Sequence, residues 1–197
     1  MIKAILMKKM IQCAAVSGVL VFAAGQTMAM NQQSKNTAQQ HSQVSNDSRV
    51  TLTDSQVIKV LSTANNGEIK QAKTALPKLK TDEARKYAQM MINDHSANEK
   101  KAQALANRLN LTPQTSTLST GLQNDSDKVV AKLSQSSVTD KDYMMSQVEV
   151  HRKVVTMLDK QLIPNAKNIE LKNMLTQTRT AVAAHLKKAE QIVEKMK

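Results

Sequence analysis

The sequence predicts an all-α protein built as a four-helix bundle, and three observations favour this fold class. The 197 residues include two Tyr, one Phe and no Trp, whereas sheet proteins are rich in aromatic and β-branched residues. Four Gly and three Pro are few for a fold with many tight turns, and a single Cys excludes an intramolecular disulfide framework. Apolar residues recur every three or four positions through four long stretches, which is the helical period.

The first 29 residues are predicted to be a secretory signal peptide. Lys3, Lys8 and Lys9 precede an apolar run over residues 11–24, which is too short for the roughly 20 residues of a membrane span. Small residues before the predicted cut favour cleavage after Ala29. Cleavage would remove the three lysines and lower the formal net charge from +12 to +9. We therefore expect an exported, periplasmic protein, with outer-membrane association as an alternative.

The remainder divides into a leader and a domain. Residues 30–51 are rich in Gln, Asn and Ser, and they contain too little apolar surface to offset the entropy of ordering, so a disordered polar leader is predicted. Residues 52–197 carry the helical pattern and are predicted to form the bundle domain.

The helix starts are predicted from capping residues. Thr53, Thr81 and Thr139 each stand before an acidic first turn, and a fourth long helix is predicted to begin near Asn165. The connection between the second and third long helices is long enough to cross the bundle, and residues 118–133 within it form a shorter amphipathic segment. This favours a ferritin-like topology, with a short helix in a long crossover, over a simple up-down-up-down order.

Short motifs in the four long helices carry a resemblance to a known family. They are Asn66-Gly67-Glu68, Tyr87-Ala88 with Met91 and Asp94-His95, Tyr143 with Val148 and His151, and His185-Leu186. Together they resemble the exported bacterial family called domain of unknown function 4142, over about residues 52–193. The resemblance implies a ferritin-like helical fold and export, and some members are labelled outer membrane proteins. It implies no established activity, so function has to be argued from the residues.

Four residues are candidate metal ligands. Glu68, His95, His151 and His185 each fall on the apolar stripe of a different long helix, which is how a bundle builds an internal metal site. A ferritin-like di-iron centre is disfavoured, because it needs Glu three residues before His and this chain has aliphatic residues there. A helix rise of about 1.5 Å per residue places His95 and His151 at one level, Glu68 about one turn away and His185 farther off.

Two alternatives to a mixed nitrogen and carboxylate site remain open. Met91 lies one helical turn before His95, and a soft thioether beside imidazole suits copper, although Met is also a common core residue. The histidines could instead be buried and hydrogen-bonded to neighbouring helices, where they would set the helix register. The cofactor prediction is therefore either none or one transition metal, with Cu, Fe, Mn and Zn as candidates.

No nucleophile–base pair, phosphate-binding loop or catalytic pair of acids is recognisable, so the leading hypothesis is a non-enzymatic exported bundle with an interaction or stress-associated role. The alternative is a metal-binding or redox bundle that uses the inward histidines. The net positive charge permits an anionic envelope surface or another envelope protein as a partner. Nucleic acid is disfavoured, because the chain has no Arg-rich cluster and few aromatic residues for stacking.

Overall fold

The computed structural model describes residues 51–196, in which the regular structure is helical and no strand occurs. The helices are α1 Asp54–Ala75, α2 Asp82–Arg108, α3 Thr117–Leu133, α4 Asp140–Met157, α5 Ile163–Asn165 and α6 Ile169–Glu194. A 3₁₀ turn, Leu76–Lys78, follows α1, and a π-helical turn, Leu158–Leu162, joins α4 to α5. Residues 140–165 therefore form one continuous helical rod.

The crossover between α2 and α4 runs the length of the bundle. Near its start, the backbone N–H of Gln114 donates to the carbonyl of Ser55 in the first turn of α1. At the end of α3, the Lys78 ammonium just beyond α1 donates to the carbonyl of Leu133. Since α3 begins beside the start of α1 and ends beside its end, the two helices are parallel, and the chain has crossed from one end of the bundle to the other.

Two acidic residues, one at each end of the bundle, each join the starts of two helices. At one end, the carboxylate of Asp140 accepts from the backbone N–H groups of Lys80 and Thr81 at the start of α2, at 2.8 and 2.7 Å. At the other end, Asp54 in α1 accepts from the N–H groups of Lys167 and Asn168 at the start of α6. Thus α4 starts beside α2 and is parallel to it, whereas α6 starts beside α1. The up-down-down-up order confirms the predicted ferritin-like bundle with a helical crossover.

The predicted helix starts are confirmed for three of the long helices. The hydroxyl of Thr53 accepts from Gln56 N–H, that of Thr81 from Ala84 N–H, and that of Thr139 from Asp142 N–H. These bonds satisfy amide groups that have no partner inside their own helix. Acidic residues follow in each first turn, where they are favoured by the helix dipole.

The predicted start of the last long helix near Asn165 was wrong. Residues up to Asn165 belong to the preceding rod, and α6 begins at Ile169, with the side chain of Asn168 accepting from the N–H groups of Glu170 and Leu171. Pro164 lies in the last turn of this rod, which ends one residue later at Asn165.

The core consists of two apolar clusters with a polar layer between them. The lower cluster, near the start of α1, includes Val57, Leu61, Leu105, Leu158, Leu171 and Leu175. The upper cluster, near the end of α1, includes Ala72, Tyr87, Met91, Tyr143, Met144 and Ile192. The buried residues of the polar layer between them are Asn65, Glu68, Gln71, His95, Glu99, Gln147, His151, Thr178 and His185. All candidate ligands except Met91 therefore lie in this polar layer.

None of the helices between residues 51 and 196 combines the length and hydropathy needed to cross a membrane. The predicted signal peptide, and the predicted leader up to residue 50, lie outside the described residues. Thr51 and Leu52, where leader and domain were predicted to meet, precede α1 directly.

Candidate metal centre

His95, His151 and His185 meet in the polar layer, one each from α2, α4 and α6. Their ring centroids form a nearly equilateral triangle, with sides of 5.8 Å between His95 and His151, 5.4 Å between His95 and His185, and 5.6 Å between His151 and His185. One ring nitrogen from each residue lies within 4.8 Å of the others. All three side chains are buried.

The expectation that His185 lies farther from the other two histidines was wrong. It assumed a helix start at residue 165, whereas α6 begins at Ile169. Four residues of helix correspond to about 6 Å of rise, and this shift moves His185 toward the level of His95 and His151.

A hydrogen-bond chain fixes which nitrogen of His95 carries the proton. The carboxylate of Glu99 accepts from the amide nitrogen of Asn65, so the amide oxygen of Asn65 faces the other way and accepts from Asn98 and from His95. The bond between His95 Nδ1 and this oxygen is 3.2 Å long. Because Asn65 presents an oxygen, His95 must donate through Nδ1–H, and its Nε2 keeps a lone pair.

The other two histidines are held in the same manner. His151 donates from Nδ1 to the backbone carbonyl of Gln147 at 2.9 Å, and His185 donates from Nε2 to the carboxylate of Asp94 at 2.9 Å. Both acceptors are oxygens without a proton to give, so the lone pairs fall on His151 Nε2 and His185 Nδ1. The hydrogen bonds to neighbouring helices that were predicted for buried histidines are thus present for His95 and His185. Each bond uses only one nitrogen of the ring.

Each lone-pair nitrogen is buried and has no hydrogen-bond partner within residues 51–196. Buried polar atoms are normally paired, and three acceptors close together without a donor repel one another. An outer hydrogen bond that orients the ring, combined with an inner nitrogen that has no partner, is the arrangement typical of histidines that bind metal.

The histidines are held neutral, as metal ligation requires. Burial lowers the pKa of His95 well below 6.5, and the positive charges that His151 and His185 could carry lower it further. Burial lowers the pKa of His151 to about 4, although its bond to the Gln147 carbonyl opposes the change. Burial also lowers the pKa of His185, against the opposing effect of Asp94. Neutral imidazole is the form that ligates a metal ion.

Glu68 lies beside His151, and it does not belong to the group of three residues whose ligand atoms all lie within 4.8 Å of one another. Its side chain is 2 % exposed, and its Oε1 lies 3.7 Å from His151 Nδ1, too far for a hydrogen bond. Neither carboxyl oxygen has a hydrogen-bond partner in the described part of the chain. Burial raises the pKa of Glu68 to about 8, with the charge of His185 partly opposing the rise. Burial therefore outweighs the groups in the described part of the chain that favour the ionised form of Glu68.

A close approach of α3 positions Glu68. Gly67 precedes it on α1, and a Cβ atom at Gly67 would lie 2.7 Å from the hydroxyl oxygen of Ser126 on α3. Ser126 accepts from the side-chain amide of Gln71, which in turn accepts from Gln147 on α4. This chain ties α1, α3 and α4 together around Glu68, and it explains why Gly stands inside an otherwise unbroken helix.

Met91, the predicted soft ligand, is fully buried in the upper apolar cluster, one turn before His95. Its thioether as a metal ligand stays a prediction.

Sequence reasoning missed the residues that orient the ligands. Asn65, Glu99 and Gln147 are buried polar residues that lie one helical turn from Glu68, His95 and His151, respectively. The signal that could have identified them is a polar residue on the apolar stripe of a helix, one turn away from a predicted ligand. Tyr143 was named only as part of a family motif. Its buried hydroxyl has no hydrogen-bond partner among residues 51–196, and burial raises its pKa, with the charge of nearby Glu68 adding to the effect.

Comparison with known proteins identifies the family of this chain but gives no activity. Neither the curated proteins nor the solved structures gave a match to this chain. The model of the family described as "Domain of unknown function (DUF4142)" matches residues 38–192, which include every candidate ligand. The chain therefore belongs to the DUF4142 family.

Proposed function

We propose that this chain is a transition-metal-binding bundle protein, in which His95, His151 and His185 hold one ion through their inner nitrogens and Glu68 is the fourth ligand. The observation that carries the proposal is the set of three buried lone-pair nitrogens, each oriented by an outer hydrogen bond and each lacking an inner partner in residues 51–196. An interaction or stress-associated role alone gives no reason for three such nitrogens in the core.

The geometry supports a single ion. Three imidazoles bound tetrahedrally at a metal–nitrogen distance of about 2.1 Å would have ring centroids about 5.2 Å apart. The observed separations of 5.4 to 5.8 Å are close to that value. One nitrogen of each ring lies within 4.8 Å of the others, and a shared ion would need separations of about 3.4 Å, which small rotations of the rings can supply.

The charge balance also supports an ion. A divalent cation would oppose the effect of burial, which raises the pKa of Glu68 to about 8, and it would bind the ionised form of that group. Nitrogen-rich donor sets favour Zn, Cu and Fe over Mg and Ca, which prefer oxygen ligands. Mn fits less well, and Cu(I) would favour Met91 as an additional ligand.

The proposed compartment is the periplasm. This part of the proposal is supported by the basic, apolar and small-residue pattern of the first 29 residues.

The test is metal content and affinity of residues 30–197, produced without a His-tag. We expect one Zn²⁺ per chain by elemental analysis after loading and dialysis, and a loss of affinity of at least about 100-fold for His95→Ala, His151→Ala and His185→Ala. Glu68→Gln should weaken binding less, because the three imidazoles remain. His41→Ala is the matched control, since His41 is the fourth histidine of the chain and was not predicted as a ligand. Equal binding by the wild type and the three cluster variants would overturn the proposal.

A further inference from the structure

Two cavities approach the metal-ligand cluster, and they reach different residues. A cleft of about 240 Å³ between α2 and α6 is lined by both His95 and His185. A groove of about 230 Å³ between α1, α3 and α4 is lined by Glu68 but by none of the three histidines. The cleft is therefore lined by two of the three cluster histidines, whereas the groove is lined by none of them.

The α2–α6 cleft offers a path of polar groups. Asp94, whose side chain is 50 % exposed, lines the cleft and accepts the 2.9 Å bond from His185. Asn98 and Thr178 line it farther along and are bonded to each other. A hydrated cation can exchange a bound water for the Asp94 carboxylate here before it reaches an imidazole nitrogen. Its water ligands are therefore replaced one at a time, and the cost of desolvation stays low.

The groove on the other side leads to Glu68 and not to the histidines. Its lining combines aliphatic residues with the carboxylates of Asp125 and Glu149 and the polar side chains of Gln71 and Ser126. A divalent cation that entered this groove would meet oxygen ligands but no imidazole nitrogen of the cluster.

We propose that divalent cations reach and leave the cluster through the α2–α6 cleft, with Asp94 as the first protein ligand and Lys101 as a repelling charge in the lining. This inference rests on the proposed metal-binding function. Lys101 is exposed and lines the same cleft, so its positive charge opposes approach of a cation.

The experiment measures the rate of Co²⁺ association by stopped-flow visible absorbance, with the affinity of each variant measured separately. Ala181 is exposed on α6 and lines the cleft, so Ala181→Phe narrows it, whereas Val150→Phe narrows the groove on the other side and is the matched control. We expect Ala181→Phe to slow association at least tenfold with an affinity within about threefold of wild type. Val150→Phe should leave the rate unchanged. Circular dichroism confirms that each variant is folded.

Lys101→Gln gives a second, opposite readout. Removal of the repelling charge should raise the association rate two- to threefold in low salt, and the gain should disappear at about 1 M salt, where the Debye length is about 3 Å. A rate slowed by Val150→Phe but not by Ala181→Phe, with Co²⁺ still bound by the wild type, would overturn this access route alone. Failure of the wild type to bind Co²⁺ and Zn²⁺ would overturn the proposed function as well.

Discussion

The polar layer and the two apolar clusters of the core are buried to the same degree but differ in how their atoms are satisfied. The apolar clusters consist mainly of Leu, Val, Ile, Met and Ala side chains that need only close packing, with the hydroxyls of Tyr87 and Tyr143 as exceptions in the upper cluster. The polar layer contains Glu68 and three histidines with atoms that lack hydrogen-bond partners inside the described chain. The difference indicates that the clusters hold the bundle together, whereas the unsatisfied atoms of the polar layer lower the stability of the metal-free protein, as the proposed function would explain.

The two kinds of carboxyl group show the same contrast. Burial alone raises the pKa of Asp140, but hydrogen bonds from Thr81 and Lys80 outweigh it and lower the pKa below 3.8. For Glu68 the effect of burial dominates and raises the pKa to about 8, although the charge of His185 and the amide of Gln147 oppose the rise. The protein therefore stabilises one carboxyl as an anion and holds the other in an environment that disfavours its ionised form.

The largest effect is expected from truncation in an apolar cluster. Leu175→Ala removes a side chain with 0 % exposure and should lower the free energy of unfolding by about 2–5 kcal/mol, because a cavity remains. Urea denaturation of the metal-free protein measures it. Leu118→Ala, at a half-buried position of α3, is the control and should cost less. Metal affinity should stay unchanged in both variants, and equal losses of stability would contradict the role assigned to the cluster.

A change in the polar layer should have the opposite sign. Glu68→Met replaces a buried carboxyl by a side chain of similar length, and it should raise the free energy of unfolding of the metal-free protein at neutral pH by about 1–3 kcal/mol. The same variant should bind Zn²⁺ more weakly. Denaturation curves recorded with and without Zn²⁺ separate the two effects. A destabilised metal-free variant would show that Glu68 supports the fold.

An intermediate effect is expected from the outer partner of His185. Asp94→Ala removes the acceptor that orients the ring and should lower metal affinity about 10- to 100-fold. Asp94→Asn keeps a carbonyl oxygen that can accept the same hydrogen bond from His185, so its loss of metal affinity should be smaller. Competition with a chelator measures both. Identical losses would mean that charge, and not orientation, is the contribution of Asp94.

The smallest effect on stability is expected from a substitution at the end of the bundle, and this effect depends on pH. Asp140→Asn weakens two bonds to α2 and should lower the free energy of unfolding by about 1 kcal/mol at pH 7. Because the folded-state pKa of Asp140 lies below 3.8, the unfolded chain takes up the proton first. The advantage of the wild type is therefore full above about pH 4 and is lost as the pH falls through the lowered pKa.

Thermal denaturation of wild type and variant between pH 3 and pH 7 measures this difference. Asp54→Asn, which removes the equivalent charge at the opposite end of the bundle, is the matched comparison. A difference between wild type and Asp140→Asn that grows as the pH falls would contradict the assignment.

Much of the fold could be predicted because its determinants are local. Thr53, Thr81 and Thr139 were recognisable as caps, since a cap acts within three residues of itself. The stripe positions of His95, His151 and His185 were also recognisable, because a helix repeats every 3.6 residues. The start of α6 was misplaced, since a π-helical turn and α5 extend the preceding rod through Pro164. That error alone displaced His185 along its helix by about 6 Å.

The sequence by itself determined the helices, the inward faces and the residue type that each helix brings to the polar layer, because periodicity and capping are properties of neighbouring residues. Only the tertiary structure decided that three imidazoles from α2, α4 and α6 share one level, and that Asn65, Gln147 and Asp94 turn one nitrogen of each ring inward without a proton. The axial offset between helices depends on loop lengths and on bonds between distant residues, which no local pattern records.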